Sequence, residues 1–440
     1  MLFYSQVYLF TFLPIVLFLF YFNKFTKIDY KYTLIICSII FYSWWNIYYL
    51  PLIILSIIIN YYFCKALITF EQNKFLLFYA ILFNVLILII FKYTDFIITN
   101  INYFFNTNLQ LLKIPFPLAL SFITFQIITF LVNCFDKEIS EIKFKDFFLF
   151  IIFFPQLIAG PIVKYKYMHP QFINNKILRF NYSNFTLGLV ILFIGLIKKL
   201  IFAETLGNFV DFGYNNTENL STIYSWILSF SFTFQLYFDF SGYIDMATGS
   251  ALMLNIFLPK NFNSPYKSLS IIDFWQRWHI TLSEFLTNYI YMPWAKSIQK
   301  FNFLKSMFLI IIVFLIAGIW HGASWCFVLF GLTHGVGLVV NHFFKRFNFF
   351  KINKFVSWFF TFNFINISFI FFRSENFIQS LNLLKSMFGL NLKNESLILL
   401  NFNNFNDVKF IFIFILSFLI CLIFKNSSYL IEKYGEIKKY

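Results

Sequence analysis

Charge is what this chain has least of. Only 12% of its 440 residues are charged, against roughly 25% in an ordinary soluble domain. With 60% hydrophobic residues, a water-soluble fold could not hide the apolar surface. Cysteine is sparse as well: Cys37, Cys64, Cys134, Cys326 and Cys421 each lie in or at the end of an apolar run, with no CxxC spacing. That excludes a disulfide framework and a thiolate metal site as readings of the pattern. There is no Walker loop, no GxGxxG after a strand, no GxSxG and no HExxH, so nothing points to an ATP-driven pump, a dehydrogenase, a serine hydrolase or a zinc protease.

What the chain has in abundance is apolar length. A membrane crossing needs about 20 apolar residues at about 1.5 Å each, and eleven runs meet that requirement: 3–22, 31–46, 49–64, 75–91, 116–134, 184–203, 222–240, 304–320, 323–343, 355–372 and 408–424. The expected architecture is an all-α polytopic membrane protein forming a single domain over residues 1–440. The net charge of +15 would suit nucleic acid only if gathered on one face. It is instead spread over short connectors, as the positive-inside rule requires of cytoplasmic loops, and no nucleic-acid partner is expected.

The same rule orients the chain. Lys24, Lys27, Lys31, Lys65, Lys74, Lys164, Lys166, Lys176 and Arg179 mark inside loops, as do the stretch from Lys260 to Lys305 and the cations Lys345, Arg346, Lys351, Lys354, Lys425, Lys433, Lys438 and Lys439. The connector with Glu204, Asp211 and Glu218 suits the outside. The N-terminus is then outside and the C-terminus inside, provided that 222–258 crosses once and its part after Asp239 re-enters or lies at the interface. Two apolar pieces are too short to cross: 147–159, closed by Gly160-Pro161, and 282–294, interrupted by Pro293. Such half-spans must be buried in protein or line a wet cavity, since lipid cannot satisfy free backbone groups.

Five histidines stand out, because an ionisable group at membrane depth is costly and faces a cavity or a partner. His321 ends an apolar run in Gly318-Ile319-Trp320-His321-Gly322, and His279 closes Asp273-Phe274-Trp275-Gln276-Arg277-Trp278-His279. A capping role for the first and an interfacial aromatic anchor for the second are the plain alternatives. His334 and His342, eight residues apart, share a helix face but lack a third ligand, so satisfied polar contacts are expected there, and no metal. His169 reads as a solvated loop residue. Phe238-Asp239-Phe240-Ser241-Gly242-Tyr243-Ile244-Asp245 sets two carboxylates and two hydroxyls around a glycine and reads as a hydrogen-bonded helix interruption. Gln126 and Asn133 line an interior by packing. On these residues alone, a transporter pathway through Asp239, Asp245, His279 and His321 and a non-catalytic export scaffold stand beside an enzyme.

Taken in order, several blocks resemble the membrane-bound O-acyltransferases, in particular the bacterial branch that acetylates alginate and peptidoglycan. They are Met1-Leu2-Phe3-Tyr4-Ser5, Ser121-Phe122-Ile123-Thr124-Phe125-Gln126, Phe154-Pro155-Gln156-Leu157-Ile158-Ala159-Gly160-Pro161-Ile162, the Asp239 to Asp245 segment, Asp273 to Thr281 and Gly318 to Gly322. The resemblance implies re-entrant helices around a central funnel, with His321 as the catalytic histidine and His279 as the second. Donor binding or cavity lining would fall to Gln126, Asp239, Ser241, Tyr243, Asp245, Trp275, Arg277, Trp278 and Trp320. Gln276 departs from the family pattern, where a basic residue is usual. No bound cofactor is implied. The donor would be acetyl-coenzyme A or another acyl thioester, the acceptor a cell-envelope polysaccharide in a bacterial inner membrane, and a periplasmic acyltransferase the partner protein.

Overall fold

The computed structural model describes residues 1–347, 353–390 and 405–435. Lys351, Lys438 and Lys439 therefore lie outside the described residues. Among the described residues every regular element is a helix and none is a strand. In chain order they are α1 (Leu13–Phe22), α2 (Tyr30–Ser43), α3 (Leu50–Thr69), α4 (Lys74–Phe105), α5 (Leu120–Phe135), α6 (Phe144–Ile152), α7 (Phe154–Leu157), α8 (Tyr165–Ile173), α9 (Tyr182–Ile197) and α10 (Glu204–Asn215). There follow α11 (Thr222–Met253), α12 (Ile271–Trp275), α13 (Ile280–Phe285), α14 (Met292–Ser297), α15 (Phe303–His321), α16 (Trp325–Phe347), α17 (Lys354–Arg373), α18 (Phe377–Met387), α19 (Phe405–Leu422) and α20 (Ser428–Tyr434).

Asparagine starts several of these helices. The side chains of Asn73, Asn302, Asn353 and Asn376 accept from Leu76, Lys305, Phe355 and Gln379 backbone N–H groups, satisfying donors that a helix start leaves open.

Seven helical stretches among the described residues are long and apolar enough to cross a membrane: Tyr8–Phe25, Ile47–Thr69, Lys74–Phe105, Tyr182–Asn215, Phe303–His321, Trp325–Phe347 and Lys354–Arg373. Each of the eleven expected spans falls on a helix, yet α2 and α5 are only 14 and 16 residues long, and a count of eleven crossings does not follow.

Two local expectations need correction. The Asp239–Asp245 segment is no interruption, because α11 runs unbroken for 32 residues. Its charge is met from the side: Lys199 pairs with Asp239 from a π-helical turn, Lys198–Ala203. A Cβ on Gly242 would stand 2.9 Å from the Gly195 carbonyl oxygen, so the glycine serves close helix contact. Nor does Pro293 break the 282–294 run. The chain stays helical from Ile280 to Ser297, with a wider π turn at Leu286–Tyr291 just before Pro293. That widened ladder makes room for a residue with no N–H to give.

The chain divides into two compact units. The first comprises residues 1–193, 243–259 and 430–440, and the second residues 194–242 and 260–429. The first unit has a core of Phe3, Tyr8, Phe12, Phe41 and Phe154, with ring centroids 4.8–6.5 Å apart. Tyr8 donates from this core to Ser250 Oγ at 2.7 Å. The half-span 147–159 lies here as α6 and α7, and Phe147 through Phe154 are all buried, as its length demanded. Lys31 reaches Asp146 at 2.6 Å and joins α2 to α6 through a buried ion pair. In the second unit Phe234, Tyr266, Phe362 and Phe418 pack together, and Thr233 Oγ1 donates to Asn366 Oδ1 at 2.7 Å.

Candidate active site

The second unit holds His279, His321 and His334, and the backbone explains how each is presented. Segment 261–263 runs beside 277–281: Asn263 N–H donates to the Arg277 carbonyl at 2.9 Å and Ile280 N–H to the Asn261 carbonyl at 3.0 Å. His279 sits at the bend with φ 44° and ψ 53°, a left-handed conformation that costs a non-glycine residue about 1–3 kcal/mol. Its carbonyl then accepts from Leu282 and Ser283 and opens α13. A strained histidine held this firmly is an observation that points toward function.

Hydrogen bonding fixes the tautomer of His279. Asn261 Oδ1 accepts from Thr281 N–H at 3.1 Å and from Thr281 Oγ1 at 3.0 Å. A backbone N–H can only donate, so this amide atom must be the oxygen. His279 Nδ1, 3.3 Å from the same oxygen, is therefore the protonated ring nitrogen, and Nε2 keeps its lone pair. The ring is 1% exposed. Burial first, and repulsion from His321 whenever that ring is protonated second, hold its pKa well below the ordinary histidine value, so the imidazole is neutral at pH 7.

His321 is the last residue of α15. Its ring stands 4.8 Å from Trp320, 5.2 Å from Phe372 and 5.8 Å from Phe330. The other side of the pair meets the same indole, since His279 lies 6.5 Å from Trp320. The two imidazoles thus flank one tryptophan. The ends of α15 and α16 are brought this close by Gly318 and Gly331. A Cβ on either would come within 2.3 Å of a carbonyl oxygen of the opposing helix, Phe327 for the first and Phe314 for the second.

His334 is buried and fully used. Trp275 Nε1 donates to Nδ1 at 3.2 Å, and Nε2 lies 2.9 Å from Ser368 Oγ. Because an indole N–H only donates, Nδ1 accepts and Nε2–H donates. The Ser368 hydroxyl in turn donates to the Ile365 carbonyl at 2.7 Å. This is the satisfied contact expected of His334, and it ties α12, α16 and α17 together. Among the described residues no three His, Cys, Asp or Glu side chains come together to hold a metal ion.

The other sequence candidates divide between the units. Trp278 stacks on Phe274 at 5.6 Å and meets Phe262 at 5.1 Å. Trp275 and Gln276 wall a cavity of about 310 Å³ with Ser283, Phe314 and His342. Arg277 Nε donates to Asp273 Oδ1 at 2.6 Å, the pairing expected of residues four apart. Asp239 is half-exposed against Lys199, while Ser241 is buried with its hydroxyl unpaired. Gln126, Tyr243 and Asp245 belong to the first unit. There Gln126 is 2% exposed with an unpaired Oε1, and Tyr243 packs on Phe3 at 4.9 Å. Asn261 and Ser368 escaped the sequence reading. Only the bend signal in Asn261-Phe262-Asn263-Ser264-Pro265 could have drawn attention to Asn261.

Seven helical stretches able to cross a membrane among the described residues, with a buried His279 and a partly exposed His321 on either side of one tryptophan, define a polytopic membrane protein with histidines in its interior. Residues 39–380 match the model of the MBOAT, membrane-bound O-acyltransferase, family, and the chain belongs to that family. It is 40% identical to a peptidoglycan O-acetyltransferase of Helicobacter pylori over 98% of this chain and 91% of the relative. It is 32% identical to a "Probable alginate O-acetylase AlgI" of Pseudomonas putida, covering 88% and 80%. A teichoic acid D-alanyltransferase of Bacillus subtilis is 26% identical over 52% of this chain and 60% of its own. The protein is a multi-pass membrane O-acyltransferase.

Proposed function

We propose that the whole chain acts as one acetyltransferase domain in a bacterial cytoplasmic membrane, N-terminus outside and C-terminus inside. It takes an acetyl group from a cytoplasmic thioester, acetyl-coenzyme A, and delivers it to a hydroxyl of a cell-envelope polysaccharide, directly or through a periplasmic acyltransferase. Peptidoglycan is the first choice of acceptor, on the identity to the Helicobacter pylori relative over nearly the full length of both chains. Alginate is the second.

In this reading His321 takes the proton of the attacking hydroxyl. The new C–O bond forms as the carbonyl π pair moves onto oxygen. When that pair returns, the C–S bond breaks, and the thiolate leaves with the proton held by His321, passed directly or through the lone pair on His279 Nε2. The products are an ester and a free thiol. The observation that carries the reading is the pairing of a partly exposed His321 with a buried, neutral His279 across Trp320. Arg277 and the basic connector would attract the donor's phosphates.

The test gives labelled acetyl-coenzyme A to membranes carrying the protein and follows label into polysaccharide. His321→Ala should lower transfer by about 10²–10⁴, the worth of a positioned base. Transfer by that variant at the unaltered rate would remove His321 from the chemistry.

A further inference from the structure

Asn261 is 1% exposed and its amide is only half used. Oδ1 takes three donors, from Thr281 N–H, Thr281 Oγ1 and His279 Nδ1. Nδ2 is buried and has no hydrogen-bond partner. An unmet buried donor costs about 1–3 kcal/mol, and such groups are rare enough to need a reason. Structure does not supply one. Each side-chain contact made by Asn261 uses Oδ1, so the packing that holds the residue makes no use of the Nδ2 donor. The donor shares its amide carbon with the oxygen that accepts from His279 Nδ1, and Thr281 fixes that amide in place before any substrate arrives.

We propose that Asn261 serves the acyl transfer twice: Oδ1 positions His279 in its Nδ1–H tautomer, and Nδ2 donates a hydrogen bond to the thioester carbonyl oxygen. The proposal rests on the acyl-transfer reading above. The carbonyl oxygen gains negative charge as the hydroxyl oxygen bonds to carbon, and it loses that charge when the thiolate departs. A preorganised donor in a dry site stabilises that charge at no cost of reorganisation. No proton leaves Asn261 in either step. A donor that the protein itself does not use is met when a reacting carbonyl is present, which is the signature of a group that binds the transition state better than the resting protein.

The experiment compares Asn261→Asp, which keeps the acceptor and removes the donor, with Asn261→Ala, which removes both. With the full chain in nanodiscs and labelled acetyl-coenzyme A as the probe, both variants should lose about 10²–10³ in kcat. The KM for the thioester should stay within about threefold. The pH profile separates them, because a carboxylate beside the imidazole favours its charged form and moves the acid limb of Asn261→Asp upward. Nitrogen-15 spectra of histidine-labelled protein, assigned with His279→Gln, should show Nδ1–H at His279 in the parent and in Asn261→Asp but not in Asn261→Ala.

Turnover of Asn261→Asp at the parent rate would overturn the donor role. An Nε2–H tautomer at His279 in the parent chain would overturn the positioning role, and that measurement does not depend on either Asn261 variant folding. A parent chain that moves no acetyl from the thioester would defeat the acyl-transfer reading instead, leaving the tautomer measurement to stand on its own.

Discussion

His334 and His279 are both buried imidazoles in the second unit, and they differ in what their nitrogens touch. At His334 a donor faces Nδ1 and an acceptor faces Nε2, so both are consumed by Trp275 and Ser368. At His279 one acceptor holds Nδ1, and the backbone is strained to keep the ring where it is. A satisfied histidine ties helices together. A half-satisfied one, held in an unfavourable conformation, keeps a lone pair available. Burial alone does not tell the two apart, because both are 1% exposed or less. The hydrogen-bond partners do.

Replacing each by glutamine should therefore produce opposite phenotypes. His279→Gln should lower acetyl transfer by about 10²–10⁴ while leaving the melting temperature in detergent close to the parent value. Glutamine at 334 carries one acceptor and one donor and should retain turnover per folded molecule. His334→Leu, which strands the Trp275 N–H and takes away the donor to the Ser368 hydroxyl, should cost about 2–3 kcal/mol of stability. Equal loss of activity in the folded forms of both glutamine variants would erase the distinction.

Proton linkage sharpens the comparison further. Burial holds the folded pKa of His279 below its unfolded value near 6.5, so between those two values the unfolded chain binds the extra proton. Stability from this group is complete above pH 6.5 and is lost as pH falls toward the folded pKa. Melting temperature should drop between pH 7 and pH 5, and His279→Gln should make that drop shallower. A smaller effect is expected at the edge of the His334 cluster. Ser368→Ala removes one acceptor from Nε2 and should cost about 1 kcal/mol, read as a shift in melting temperature without a change in the pH dependence of transfer.

The helices were legible because apolar length and turn residues are local properties. Each run marked as a span falls on a helix, and the buried half-span 147–159 followed from its being too short to cross. The place of His321 at a helix end was legible too, since an ionisable residue closing an apolar run before a glycine is conspicuous in one dimension. Misreadings arose where a local rule met a distant partner. Asp239 looked like a helix break because its cation, Lys199, is 40 residues away, and Pro293 looked like a stop because the π turn that accommodates it has no sequence mark.

By itself the sequence determined that the chain is helical, lies in a membrane, and carries histidines where charge is expensive, since hydropathy and solvation act residue by residue. Only the tertiary structure decided which histidine is spent and which is open. The oxygen that holds His279 comes from Asn261, 18 residues earlier, and the groups that occupy His334 come from 59 and 34 residues away. A tautomer depends on which partner faces each ring nitrogen at about 3 Å, and that depends on how helices pack, which no single stretch of chain specifies.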